Sequence, residues 1–185
     1  MRLFSIYFFS LALSINIMAQ SYESQPYKVL EKKDKIEIRY YPRSAKVKTS
    51  SEYGGNNNFR KLFRYISGNN TENEKIAMTT PVYMSIDKKT MEFVLPNKYV
   101  KDSLILPKGD QVESYFSDPV HIASIRYSGY SNYKTELLHT NTLLKSLNDL
   151  NIKTKGIPYV LVYNGPYKFF NRRNEIHIEI QYEYF

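Results

Sequence analysis

The sequence predicts an α+β domain built from two strand-strand-helix-strand-strand halves. The halves join into a distorted antiparallel eight-stranded sheet or barrel flanked by two helices. Three observations carry this expectation. Runs with a side-chain period of two recur along the chain. Two segments show apolar residues at helical spacing. Gly54 and Gly129, like Leu62 and Leu137, lie 75 positions apart, the sign of a duplicated unit.

In chain order, residues 20–34 read as a polar lead-in, and the domain is expected to run over 35–185, with halves at 35–96 and 111–182. Ile36, Ile38 and Tyr40 alternate with Glu37, Arg39 and Tyr41 up to Pro42, a half-buried strand. Ala45, Val47 and Thr49 alternate with Lys46 and Lys48 in a second strand. Gly54 to Asn58 form a turn and supply a helix N-cap. The helix carries Phe59, Leu62, Phe63 and Ile66 on one stripe and ends at Gly68.

From 75 to 86 the even positions are Ile76, Met78, Thr80, Val82, Met84 and Ile86, predicting one strand with a buried even face. Pro81 cannot donate to a ladder, which places it on an edge or at a bulge. Met91 to Leu95 form the next strand, and residues 97–110 a polar joint between the halves. Strands over 112–116 and 121–127 follow, then a helix over 133–150 with Leu137, Leu144 and Leu147 on one stripe and Leu143 and Leu150 beside it. Residues 159–163 are apolar on both faces, as a fully covered strand is. In the last strand Ile176, Ile178 and Ile180 point inward and His177, Glu179 and Gln181 outward.

The chain has 185 residues, enough for one domain with a real core. Its net charge of +8, about +7 without a leader carrying Arg2, favours anionic partners, including peripheral contact with an anionic envelope surface. The cations are scattered and form no nucleic-acid-reading motif, so no nucleic-acid partner is expected. There is no Cys, which excludes disulfides and thiolate metal sites. No hydrolase, phosphate-loop or dinucleotide signature occurs, and with three His a built-in zinc site is not expected. His139 reads as solvated, His177 as outward, and His121 as a satisfied core residue. Met1 and Arg2, an apolar run from Leu3 to Met18, then Ala19 describe a cleavable signal peptide over 1–19. The expected location is therefore periplasmic or extracellular, and the expected state a monomer.

Several separated motifs occur in order: Lys75-Ile76-Ala77-Met78-Thr79-Thr80-Pro81-Val82, Phe93-Val94-Leu95-Pro96, and Tyr163-Asn164-Gly165-Pro166 running into Asn171-Arg172-Arg173-Asn174-Glu175-Ile176. They resemble the SOUL haem-binding-protein family over almost everything after the first thirty-odd residues. The resemblance implies the duplicated fold shared with bacterial effector-binding domains. It also implies non-covalent binding of haem or another porphyrin against the first helix. A basic residue matching Arg64 would serve the propionates.

The residues themselves support a similar site. The stripe of Phe59, Leu62, Phe63 and Ile66 is bordered by Arg60, Lys61 and Arg64, so an exposed aromatic edge would support a flat apolar ligand and Arg60 or Arg64 pair with its carboxylates. The plain alternative is an amphipathic helix with a wet basic face. One family branch places a His after Glu-Ile-Arg as iron ligand; here Tyr40 follows Glu37-Ile38-Arg39. Tyr40 is either an axial phenolate or a core residue of the Ile36/Ile38 face. Arg172 and Arg173 read as structural supports of the loop before the last strand. The sequence reading is thus a haem carrier or buffer without catalytic residues. Its rivals are a haem-modifying or esterase-like enzyme on the same fold, and an envelope interaction module that has lost haem.

Overall fold

A computed structural model describes residues 22–52, 54–101 and 104–182. The expected signal peptide lies outside the described residues. The strands are β1 (Glu23–Ser24), β2 (Lys28–Lys33), β3 (Ile36–Tyr41), β4 (Ser44–Ser50), β5 (Thr79–Thr80), β6 (Val82–Ser85), β7 (Thr90–Val94), β8 (Glu113–Ser117), β9 (Val120–Tyr127), β10 (Thr154–Val162) and β11 (Asn174–Ile180). Helix α1 (Gly55–Ile66) follows β4, and α2 (Tyr133–Asp149) follows β9. Nine strands form one curled antiparallel half-barrel in the order β2-β3-β9-β11-β10-β6-β7-β4-β8.

Setting β2 aside, this order is symmetric about the β10–β6 junction. Each strand of one half faces its counterpart in the other, β3 matching β8, β4 matching β9 and β7 matching β11. The first strand of each half is exchanged. Thus β3 pairs with β9 of the second half, and β8 pairs with β4 of the first. Neither half contains its own complete sheet.

Both helices pack on one face. Leu143 and Leu147 of α2 meet Ile36, Ile38, Ala123, Ile125, Val160, Ile176 and Ile178, while Leu62, Tyr65 and Ile66 of α1 meet Ala45, Val47, Met91 and Phe93. Met84 touches both clusters and lies between them. Burying each such side chain contributes about 1.5–3 kcal/mol relative to exposure. The opposite face is also closed, because side chains there reach across an intervening strand. Lys46 of β4 sits over the Tyr83 ring of β6 at 4.0 Å, and Arg39 of β3 bonds Glu175 of β11.

Several expectations are corrected. The sheet has nine strands rather than eight, because the supposed lead-in 20–34 supplies β2. It also covers the closed face: Gln25 donates to Ser44 Oγ at 2.9 Å and accepts from the Tyr83 hydroxyl at 2.6 Å, and the Tyr27 and Tyr41 rings lie 5.2 Å apart. The strand expected over 75–86 is divided at a cis Thr80–Pro81 bond into β5 and β6. Beyond it the most buried residues are the odd ones, Tyr83 and Ser85. Pro81 is not on an edge either, since it precedes a central strand and leaves the β6 ladder intact.

Helix α1 begins at Gly55 with Gly54 as a cap that offers no side chain. Asn58, expected in the turn, is fully buried inside the helix. It accepts from Ser51 Oγ at 2.7 Å and donates to the Lys89 carbonyl at 2.7 Å. The true cap is on α2, where Asn132 and Thr135 bond reciprocally. The joint 97–110 is not simply polar, for Tyr99 and Ile105 are core.

In α2 the buried positions are Glu136, Thr140, Leu143 and Leu147, whereas Leu137 and Leu144 are exposed. The helix is rotated from the expected stripe. Its buried Glu136, Thr140 and Leu143 correspond to Asn58, Leu62 and Tyr65 of α1 at an offset of 78, not 75. Each helix therefore opens on a buried polar anchor. Glu136 accepts from Ser131 Oγ at 2.6 Å and pairs with Lys88 Nζ at 2.6 Å.

Candidate functional site: the groove between the helices

Helix spacing puts Asn56, Phe59 and Phe63 on one flank of α1, above the core-facing Leu62 and Ile66. Phe59 and Phe63 are 40% and 49% exposed, and their rings lie 5.9 Å apart and 14° from parallel. Phe59 is propped from below by the Phe93 ring, edge-on at 5.3 Å. Asn56 also borders a groove of about 800 Å³ that runs between the helix N-termini. Met84, Ile86 and Val162 form its apolar floor, Tyr130 and Tyr133 its far wall, and Pro166 and Arg172 its rim. Volumes of 300–1,000 Å³ with an apolar lining and few polar groups are usual for organic ligands.

The structure separates the residues singled out by sequence. Phe59 and Phe63 come together as exposed rings. Leu62 is fully buried in the core beneath them and presents no surface to a ligand. Arg60 and Arg64 lie on the outer side of the helix, where Arg60 donates to Asn57 Oδ1 at 3.1 Å. Arg64 also borders a smaller recess of about 290 Å³ with Lys61 and Lys108. Tyr40 is half-buried on β3, with its ring 5.5 Å from His121, itself 5.4 Å from Tyr182. These three rings lie with the strands under α2 and not along α1. Among the described residues no group of three or more His, Asp or Glu side chains is arranged to hold a metal ion.

Sequence reasoning missed the groove wall at Tyr130 and Tyr133, because turn and helix-start residues carry no periodic signal. It also missed a buried charge cluster on the closed face. Glu175, with no exposed surface, accepts from Arg39 Nη1 at 2.7 Å, Arg173 Nη2 at 2.7 Å, the Tyr163 hydroxyl at 2.9 Å and His177 Nε2 at 2.8 Å. Burial works against ionising Glu175, but the hydrogen bonds from His177 and Arg39 overcome it and hold the carboxyl far below its usual range. Burial lowers His177, against the pull of Glu175, and beside that ionised carboxylate, which can only accept, its Nε2–H donates. Burial also raises the Tyr163 hydroxyl, and the neighbouring Glu175 charge adds to this.

His177, expected outward, is therefore corrected to buried. The alternation of the last strand is real, but its second face meets protein instead of water. With Glu175 saturated by internal donors, the pair is a structural tie and not an accessible acid–base dyad. His139, read as solvated, is partly covered and stacks on Tyr127 with centroids 4.5 Å apart. Arg172 and Arg173 are structural, as the sequence suggested. Arg172 donates to the Gly165 and Lys168 carbonyls, both at 2.8 Å, and Arg173 holds Glu175.

An α+β half-barrel of this kind, with two helices on one curled antiparallel sheet, is an effector-binding-like fold. The C-terminal domain of EcmrR has it, with a TM-score of 0.55 and 9% identity over 84% of this chain and 98% of that one. A hydrolase from Listeria innocua is equally similar, at 0.55 and 6% identity, covering 82% of this chain and 94% of the other. Residues 22–179 match the family described as SOUL heme-binding protein, and the chain belongs to that family. It is also 22% identical over 179 residues to Heme-binding protein 1 of Sus scrofa, covering 87% of this chain and 94% of the relative.

Proposed function

We propose that this protein binds haem or a related porphyrin non-covalently, on the exposed Phe59/Phe63 edge and the adjoining groove, and carries or buffers it without transforming it. The carrying observation is the near-parallel pair of exposed Phe rings beside an apolar-floored groove of about 800 Å³. A planar macrocycle lies against such an edge with its faces covered and its carboxylates in water. Arg60 and Arg64, exposed on the outer side of the helix and each one position along from a ring, reach those carboxylates in the solvent.

Affinity comes chiefly from apolar burial, at roughly 25 cal/mol per Å² before association costs. Tyr40 lies outside this edge and has no part in the reading. The apolar leader over 1–19 supports export to the periplasm or beyond, and the positive charge supports an anionic ligand. Family membership supports haem as that ligand.

The test is a Soret titration of the 20–185 protein with haemin and with metal-free porphyrin, followed by transfer to an apo-acceptor. Saturable binding of both, with haemin returned unchanged, is expected. Ring opening, loss of iron or multiple-turnover ester cleavage would reassign the protein as an enzyme. An unchanged Soret band at micromolar protein would end the haem reading.

A further inference from the structure

The connection between β10 and β11 ends in a tip, Pro166-Tyr167-Lys168-Phe169-Phe170-Asn171. Tyr167, Phe169 and Phe170 are 88%, 68% and 83% exposed. One exposed aromatic is ordinary on a soluble protein, but three within four residues form an apolar surface in search of a partner.

The tip is not held by those rings. It is fastened from behind by the buried Arg172, whose guanidinium bonds the Gly165 and Lys168 carbonyls and, at 3.2 Å, the Asn164 carbonyl. The same guanidinium lies 4.5 Å from the centre of the Tyr130 ring, and the Tyr130 hydroxyl donates to the Pro166 carbonyl at 3.4 Å. Tyr130 and Tyr133, 50% and 80% exposed, thereby extend the aromatic surface onto the start of α2.

The exposed charge of this edge is chiefly basic, with Asp87 of the adjoining groove wall as the acidic exception. In residues 164–174 and 126–135 the exposed cations are Lys168, Arg126 and Lys134, Arg172 being buried and Arg173 paired with Glu175, and neither stretch contains an acidic residue. The nearest carboxylates in sequence, Glu136 and Glu175, are buried and already paired.

We propose that the Tyr167–Phe170 tip and the Tyr130–Tyr133 edge dock this protein on an anionic lipid bilayer. Tyr and Phe are suited to the headgroup boundary, where an aromatic ring buries its body and keeps its polar groups wet. Basic side chains beside such rings add attraction to anionic lipid, and together they give reversible peripheral binding. The docking does not depend on haem binding. It does place the groove mouth, which shares Tyr130, Tyr133, Pro166 and Arg172 with this edge, against the phase where an apolar macrocycle dissolves.

The protein contains no Trp, so Phe169→Trp introduces a single reporter. The variant is mixed, without haemin, with phosphatidylcholine vesicles and with vesicles containing roughly a third phosphatidylglycerol. A blue shift and quenching by acyl-brominated lipid are expected with the anionic vesicles. A Phe169→Ser/Phe170→Ser variant should partition at least tenfold more weakly while unfolding at the same urea concentration, since both side chains are exposed. No blue shift and no co-sedimentation with anionic vesicles would overturn the proposal. So would a reporter that responds only to added haemin or only to protein concentration, which would assign the tip to a ligand cover or a second copy. Because no haemin is present in the vesicle arm, its failure is separate from failure of the haem reading.

Discussion

Arg39 and Glu175 stand 136 residues apart in the chain and 2.7 Å apart in the fold, on β3 and β11 with β9 between them. The bond ties the exchanged first strand of one half to the last strand of the other. Both side chains are buried, at 3% and 0% exposure. Breaking such a pair leaves an uncompensated charge inside, at a cost of about 3–5 kcal/mol. Glu175→Gln should therefore strongly lower the urea midpoint. Arg39→Met combined with Glu175→Gln should cost less than the sum of the two alone. Additive effects would show that the pair is not coupled.

His177 makes stability depend on pH. Its imidazole titrates below its ordinary range because it is buried, whereas in the unfolded chain it titrates near 6.5. Between the two values the unfolded state binds the extra proton, so stability falls as the pH falls. The contribution is full above about pH 6.5 and is lost as the pH passes down through the folded value. His139, lowered by burial and by Lys35, acts in the same direction. The free energy of unfolding between pH 7.5 and 5 should decline by up to about 1.4 kcal/mol per pH unit through the buried His177, and by clearly less through His139, whose partly exposed ring is screened by solvent. His177→Gln should flatten part of that slope and His139→Gln another part. A His177→Gln protein that folds and keeps the full slope contradicts the assignment.

Strand exchange predicts that neither half folds alone. A chain ending at Asp110 lacks β8 and β9, leaving β3 and β4 each without one of its two neighbours, and should be insoluble or molten. The 20–185 protein should unfold in one cooperative step. A chain beginning at Lys35 should also lose stability, since it removes β2 and the Gln25 bonds to Ser44 and Tyr83. A monomeric, cooperatively folding 35–110 fragment would disprove the exchange.

Leu62 and Phe63 are adjacent on α1 and should behave oppositely. Leu62→Ala empties a fully buried site and should cost about 2–5 kcal/mol of stability. Phe63→Ala removes a half-exposed ring and should leave the urea midpoint within roughly 1 kcal/mol of the parent. It should nevertheless weaken haemin binding, and nearly as much at high salt as at low. Normal haemin affinity in folded Phe63→Ala protein would remove the α1 edge from the site.

Arg64→Glu tests the electrostatic part. Exposed ion pairs contribute only about 0.2–1 kcal/mol and are screened by salt. The deficit in haemin affinity should be smaller than that of Phe63→Ala and should shrink as salt rises. Tyr40→Phe, which removes only a hydroxyl beside His121, should leave the haemin spectrum unchanged. Loss of a charge-transfer band in that variant would instead make Tyr40 the iron ligand.

Local rules sufficed for much of this molecule. The alternation in β3, β4, β9 and β11 is set by each strand having one face on a helix, and a two-residue period records that directly. The apolar spacing of α1 and the positive φ of Gly54 and Gly129 likewise follow from short-range sterics. The Phe59/Phe63 edge was legible because four-residue spacing places both rings on one flank whatever the rest of the chain does. What covers the other face of a strand is not a local property. Glu175 and His177 sit where a solvent-facing pair would sit, and only the curl of the sheet, bringing Arg39 across β9, makes that position interior. The exchange of β3 and β8 between halves, the turn of α2 onto Leu143 and Leu147, and the meeting of Tyr130 with Pro166 were decided in tertiary structure. Each depends on contacts between segments that their own sequences leave free to pack in more than one way.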